Sequence, residues 1–125
     1  MAARKTKKRM MLEDGVRRMA TWCQANYPTK MEVAVRVVDQ IGDMDDESLG
    51  IAYLEEGHTL IKIEILADQS IREAMETTMH EWAHAQIMPW LPEWQNDHED
   101  YFWIVFGRMY RRWHDQGGQV AAKRL

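Results

Sequence analysis

Residues 60–88 read LIKIEILADQSIREAMETTMHEWAHAQIM, and two periodicities meet inside them. Ile61, Ile63 and Ile65 alternate with Lys62 and Glu64, the period of a strand with one buried face. From Ile71 onward the apolar positions become Met75, Met79, Trp82 and Ala83, the spacing of a helix with one buried stripe. Between the two runs, Ser70-Ile71-Arg72-Glu73 has the form of a capping box. The helix is therefore predicted to start at Ser70, reach about Met88 and stop before Pro89. At the edge of its stripe stands His80-Glu81-Trp82-Ala83-His84, an H-E-x-x-H sequence. Two histidines four apart on a helix project from one face, so both imidazoles can reach one metal ion. A glutamate beside the first can hold and deprotonate a water molecule there. That is the core of a zinc hydrolase, most often a peptidase.

Upstream, Leu12, Val16, Met19, Ala20 and Cys23 mark one face of a helix over Met10 to Tyr27, with Pro28 as its stop. Val33 to Val38 is a β-branched run and reads as a buried strand. Gly42 to Ser48 is an acidic loop, and Leu49 to Leu54 a second strand. Glu55-Glu56-Gly57-His58 is a short turn with Gly57 available for positive φ, so the second and third strands should form a hairpin. The Lys62/Glu64 strand is read as a candidate sheet edge beside the metal helix, to which an extended peptide could add as a further strand. Downstream, Pro89 to Asp97 reads as an ordered loop carrying Trp90 and Trp94. A last helix begins near Asp97, carries His98, Phe102, Val105, Met109 and Trp113 on one face, and ends at Gly117-Gly118. Together these give an α+β domain: an N-terminal helix, a three-stranded mainly antiparallel sheet, and two C-terminal helices holding a zinc site, a zincin-like arrangement.

A catalytic zinc needs three protein ligands and one open position. His80 and His84 supply two. A metzincin would place Gly and His three and six residues after His84, where this chain has Ile87 and Trp90, so that class fails. His98 is the best third ligand, because a loop and helix reversal can bring it back across the first pair. Asp97, Glu99 and Asp100 compete with it, and His58 and His114 read first as surface residues. Phe102, one turn after His98, should pack beside the site. Glu81 is the candidate general base, and Tyr53, Tyr101 and His58 are candidates to stabilise an oxyanion.

These residues resemble a known family. Glu73-Ala74-Met75-Glu76-Thr77-Thr78-Met79-His80-Glu81-Trp82-Ala83-His84-Ala85, followed by His98-Glu99-Asp100-Tyr101-Phe102-Trp103, is similar to the SprT-like (Spartan-type) zinc metallopeptidases, in a minimal form without the zinc ribbon. The resemblance implies three zinc ligands, His80, His84 and His98, with Glu81 as catalytic base. It also implies a zinc metalloendopeptidase acting on a protein or peptide substrate. The corresponding division of the chain is a basic flexible arm over 1–9, the peptidase domain over 10–116 and a flexible tail over 117–125.

Composition bounds the rest. With 125 residues, 46% hydrophobic and 29% charged, the chain has the balance of one globular domain. No apolar run approaches a membrane span, and no secretory signal is seen. Cys23 is the single cysteine, which excludes an intrachain disulfide and a four-cysteine zinc site and favours a cytoplasmic location. The net charge of −4 is segregated: +6 over residues 1–36, −14 over 37–100 and +4 over 101–125. The basic ends can pair with the acidic middle; alternatively Arg4, Lys5, Lys7, Lys8 and Arg9 form an arm for DNA.

Overall fold

Ile61, Ile63 and Ile65 have no exposed surface, and that burial decides which strand takes the centre of the sheet. The computed structural model describes residues 6–41, 48–55, 57, 59–88 and 100–116. Its elements in order are α1 (Lys7–Asn26), β1 (Glu32–Val38), β2 (Gly50–Leu54), β3 (Leu60–Leu66), α2 (Ile71–Ile87) and α3 (Asp100–Asp115). The sheet order is β1-β3-β2. A strand flanked on both sides can bury its whole inner row, and each fully buried isoleucine contributes about 2 kcal/mol by removal from water.

The hairpin of β2 and β3 is antiparallel as expected, with Gly57 at φ 100° in its turn. The sheet as a whole is mixed rather than mainly antiparallel, because β1 pairs β3 in parallel, from Glu32 opposite Leu60 to Val38 opposite Leu66. The chain leaves β1, reaches the far edge as β2 and returns through the hairpin, so β3 runs in the direction of β1. The Lys62/Glu64 strand is consequently central, and the edge beside α2 is β2. Its charges are tolerated by pairing on the face away from the helices. Arg36 donates to Glu64 from the register-matched position on β1, with its Nε 2.8 Å from the carboxylate. Lys62 Nζ lies 3.2 Å from Glu55.

α1 and α2 pack on the other face, and α2 is in contact with both α1 and α3. Leu12, Val16, Met19 and Cys23 from α1 meet Met75, Met79 and Trp82 from α2, and Phe102, Met109 and Trp113 from α3 complete the core. Trp82 and Gln86 donate to the Tyr27 carbonyl at 2.9 and 2.6 Å, fixing the end of α1 against α2. α1 starts earlier than the apolar pattern indicates, because the Thr6 hydroxyl accepts from the Arg9 amide at 3.1 Å and caps the helix. Lys7, Lys8 and Arg9 thus belong to the first turn and not to an arm. Arg9 donates to Asp39 at 2.6 Å and to the Val37 carbonyl at 3.1 Å, tying that turn to the end of β1. Among the described residues, no helix is long and apolar enough to cross a membrane.

Candidate metal centre

α2 begins where the sequence places it. The Ser70 hydroxyl accepts from the Glu73 amide and the Glu73 carboxylate accepts from the Ser70 amide, both at 3.1 Å. This reciprocal cap fixes the phase of the helix, and with it the direction of every side chain that follows. Met75, Met79, Trp82 and Ala83 point into the core, which leaves His80 and His84 half-buried along the margin.

His80, Glu81 and His84 offer ligand atoms that all lie within 4.8 Å of one another, and they are the one such group of three among the described residues. The imidazole centroids are 5.2 Å apart. Two nitrogens at tetrahedral positions on zinc stand about 3.4 Å apart, so small side-chain rotations suffice to bring both onto one ion. Two imidazoles with a carboxylate beside them could hold a divalent metal ion such as zinc.

Phe102, fully buried on α3, stacks on His84 with 4.1 Å between centroids and stands 4.8 Å from His80. Phe106 and Trp103 continue this aromatic wall, at 5.4 and 6.4 Å from the His80 ring. The expected packing of Phe102 beside the site is found. The rings limit the rotation of both imidazoles, which is what a ligand pair needs before a metal arrives.

Glu81 is 7% exposed, and no donor among the described residues reaches its carboxylate. Burial pushes its carboxyl up to about 7. A cation between the two histidines would pull it down again, by direct attraction of the charged form. The carboxylate opens on a cavity of about 470 Å³, whose lining includes Leu49, Gly50, Thr77, His80 and Phe106.

Three residues of this site escaped the sequence reading. Gly50 at the start of β2 lies so close to α2 that a Cβ there would meet Thr77 Cγ2 at 2.6 Å and Glu81 Cγ at 3.2 Å. Thr77 donates to the Gln69 side chain at 2.9 Å, and Gln69 donates to the Leu49 and Leu66 carbonyls at 3.0 and 2.6 Å. Gln69 and Thr77 thereby hold the start of the edge strand against the helix that carries Glu81. A glycine at a strand end was the one available signal.

The other candidates separate. His98, with Asp97, Glu99, His58, Trp90 and Trp94, lies outside the described residues. Asp100 is exposed in the first turn of α3. His114 is half-buried rather than on the surface, with its ring 4.2 Å from Tyr110, and stands three turns beyond Phe102. Tyr53 is excluded from the oxyanion role by strand alternation. Gly50 faces α2, so Ala52 and Leu54 do too, whereas Tyr53 projects on the opposite face beside Arg36. Tyr101 is exposed on α3, turned away from the stacked Phe102. Compared with protein-family models, with curated proteins and with solved structures, the chain matches none.

Proposed function

We propose that this chain is a zinc-dependent peptidase of the SprT-like kind that hydrolyses peptide bonds of a protein substrate. The observation that carries the reading is Glu81: a buried carboxylate with no donor among the described residues, grouped with two histidines of the same helix at the wall of a cleft. His80 and His84 would hold the ion, with His98 as the third ligand implied by the sequence. A bound zinc supplies Lewis acidity toward a carbonyl oxygen and acidifies water beside it.

The chain's own residues then have distinct tasks. Glu81 takes a proton from the attacking water and passes it to the leaving amide nitrogen, so its charge is restored at the end of each turnover. Phe102 and Phe106 hold the imidazoles and keep water off one side of the cleft. The outer edge of β2 pairs with no strand among the described residues and borders that cleft. A substrate segment pairing there in extended form would be held beside Glu81 by backbone hydrogen bonds, which are indifferent to its sequence. Lys7 and Lys8 are exposed at the basic N-terminal end and can hold a DNA-associated substrate nearby, in the cytoplasm that a lone buried thiol at Cys23 suits.

The test is digestion of a peptide library by purified, zinc-analysed protein, comparing wild type with Glu81→Gln. Cleavage is expected to fall by at least about a hundredfold in the variant with zinc content unchanged. Equal inertness of both, with zinc bound, would leave a non-catalytic zinc-binding regulatory module. Zinc content undiminished in His98→Ala would remove His98 from the ligand set.

A further inference from the structure

β1 is the other edge of the sheet, on the side away from the metal centre. It runs without interruption against β3 over seven residues and has no proline and no inward-facing charge. Those are the usual devices that stop one sheet edge from pairing with another. Val33, Val35 and Val37 face the helices but are only half-buried. They floor an open groove of about 850 Å³, roofed by Val16, Arg17 and Ala20 of α1.

The sequence of this edge selects an occupant. Glu32-Val33-Ala34-Val35-Arg36 is complementary to itself when reversed. Laid antiparallel about Ala34, Glu32 falls opposite Arg36 of the partner subunit, Val33 opposite the partner's Val35, and Ala34 opposite the partner's Ala34. Facing side chains in such a pair stand about 4.5–5.5 Å apart, close enough for an ion pair. Both charged residues are placed to use it. Glu32 is exposed and has no ion pair among the described residues. The Arg36 side chain leans over β3 toward Glu64 and Tyr53 but is 63% exposed, so its guanidinium keeps free surface for a second carboxylate. The result would be a row of alternating charge across the sheet, from Glu64 to Arg36 to the partner's Glu32. The valines of each copy would close the groove of the other.

We propose that the β1 edge is a docking surface for a second copy of this chain, joined antiparallel about Ala34 into a continuous six-stranded sheet. The contact is isologous and closes on itself. Because β2 lies at the opposite edge, both metal clefts stay open at the two ends of the joined sheet.

The experiment is analytical ultracentrifugation of the full chain over a concentration series. Wild type is expected to dimerise. Glu32→Arg sets like charges against the partner's Arg36 twice, and should raise the dissociation constant roughly tenfold to a hundredfold. Arg36→Glu does the same with carboxylates. Neither variant should pair with itself, yet an equimolar mixture restores both opposite-charge contacts and should recover a heterodimer of wild-type affinity. Arg36→Glu also loses the bond to Glu64, so its circular dichroism and zinc content are measured first. If it does not fold, wild type against Glu32→Arg decides alone, since Glu32 has no ion pair to lose among the described residues. A wild type that stays monomeric at the highest concentration attained overturns the proposal. So does a dimer that Glu32→Arg leaves intact, or a mixture of folded variants that fails to associate.

Discussion

Gly50→Ala is the most informative single perturbation of the candidate centre, because it adds one methyl where β2 and α2 come closest. The new carbon would sit 2.6 Å from Thr77 Cγ2, 3.2 Å from the Glu64 carbonyl oxygen and 3.2 Å from Glu81 Cγ. Ordinary carbon contacts lie at about 3.5–4.0 Å, so close to 1 Å of separation must be found. Retreat into the sheet is blocked by the Glu64 backbone, and Thr77 is tied to Gln69 through its hydroxyl. Overpacking of this kind costs about 1–3 kcal/mol. Alanine recovers a few tenths of that by restricting the unfolded chain, which leaves the net effect destabilising. Thr77→Ser removes the clashing Cγ2 and keeps the hydroxyl that donates to Gln69; alone it should cost about 0.5–1 kcal/mol. In the double variant the shortest contact is gone and only the two at 3.2 Å remain, so the pair should be more stable than additivity allows by about 1 kcal/mol. Urea unfolding of the four proteins, with m values checked for equality, measures this directly. A neutral Gly50→Ala, or two effects that simply add, would refute the close approach of edge strand and helix. On the proposed function, Gly50→Ala also displaces Glu81 and lowers peptide cleavage, and Thr77→Ser recovers part of it.

Phe102→Ala removes a fully buried ring stacked on His84 and should cost about 3–5 kcal/mol, whereas Phe102→Leu keeps most of the volume. On the proposed function, zinc competition with a chelator should show weaker retention in both variants, because neither restores the stack that orients the imidazole; unchanged retention in the folded leucine variant would show that the stack does not position His84. Glu73 is held below the usual carboxyl range, first by the Ser70 amide and then by the Ser70 hydroxyl. A depressed folded value means that its contribution is complete above the unfolded pKa and is lost as pH falls through the folded one. Glu73→Gln keeps a hydrogen-bonding cap without that titration, so the wild-type advantage over it, followed by denaturant titration, should shrink toward acid; an advantage independent of pH would count against the charged cap.

What could be read in the sequence follows the range of the interactions involved. Ser70, Glu73 and the stripe from Met75 to Ala83 act within one or two helical turns, so the start of α2 and the shared face of His80 and His84 were legible in advance. The hairpin was legible for the same reason, with Gly57 marking its turn. Strand order was not, because nothing in Val33–Val38 states whether it lies beside β2 or β3. That choice is made by the three isoleucines, which can all be fully buried only at the centre. The start of α1 was placed late because its cap is the hydroxyl of Thr6 inside a basic run, where no apolar residue marks the turn. Gln69 escaped because its partners, Leu49 and Thr77, are 20 and 8 residues away.

The order β1-β3-β2 gives the two sheet edges different surroundings, and the glycine at position 50 explains why only one of them comes against Glu81 of α2. At β2, the missing side chain lets the edge strand come against Thr77 and Glu81, so an unpaired backbone and a buried carboxylate share one cleft. At β1, the inner positions are valines, and they share an open groove with Val16 and Ala20 of α1, whose charged lining is Glu13, Arg17 and Arg36. A backbone edge beside a carboxylate suits transient pairing with many sequences, since its hydrogen bonds read no side chains. An edge bearing Glu32 and Arg36 either side of a valine pair suits one partner in one register, because a shift by one residue turns the valines outward, and a shift by two sets both charges against uncharged positions in one direction and Arg36 against Lys30 in the other. The same sheet therefore separates the two proposals in space, and a substitution that weakens one edge should leave the other as it was.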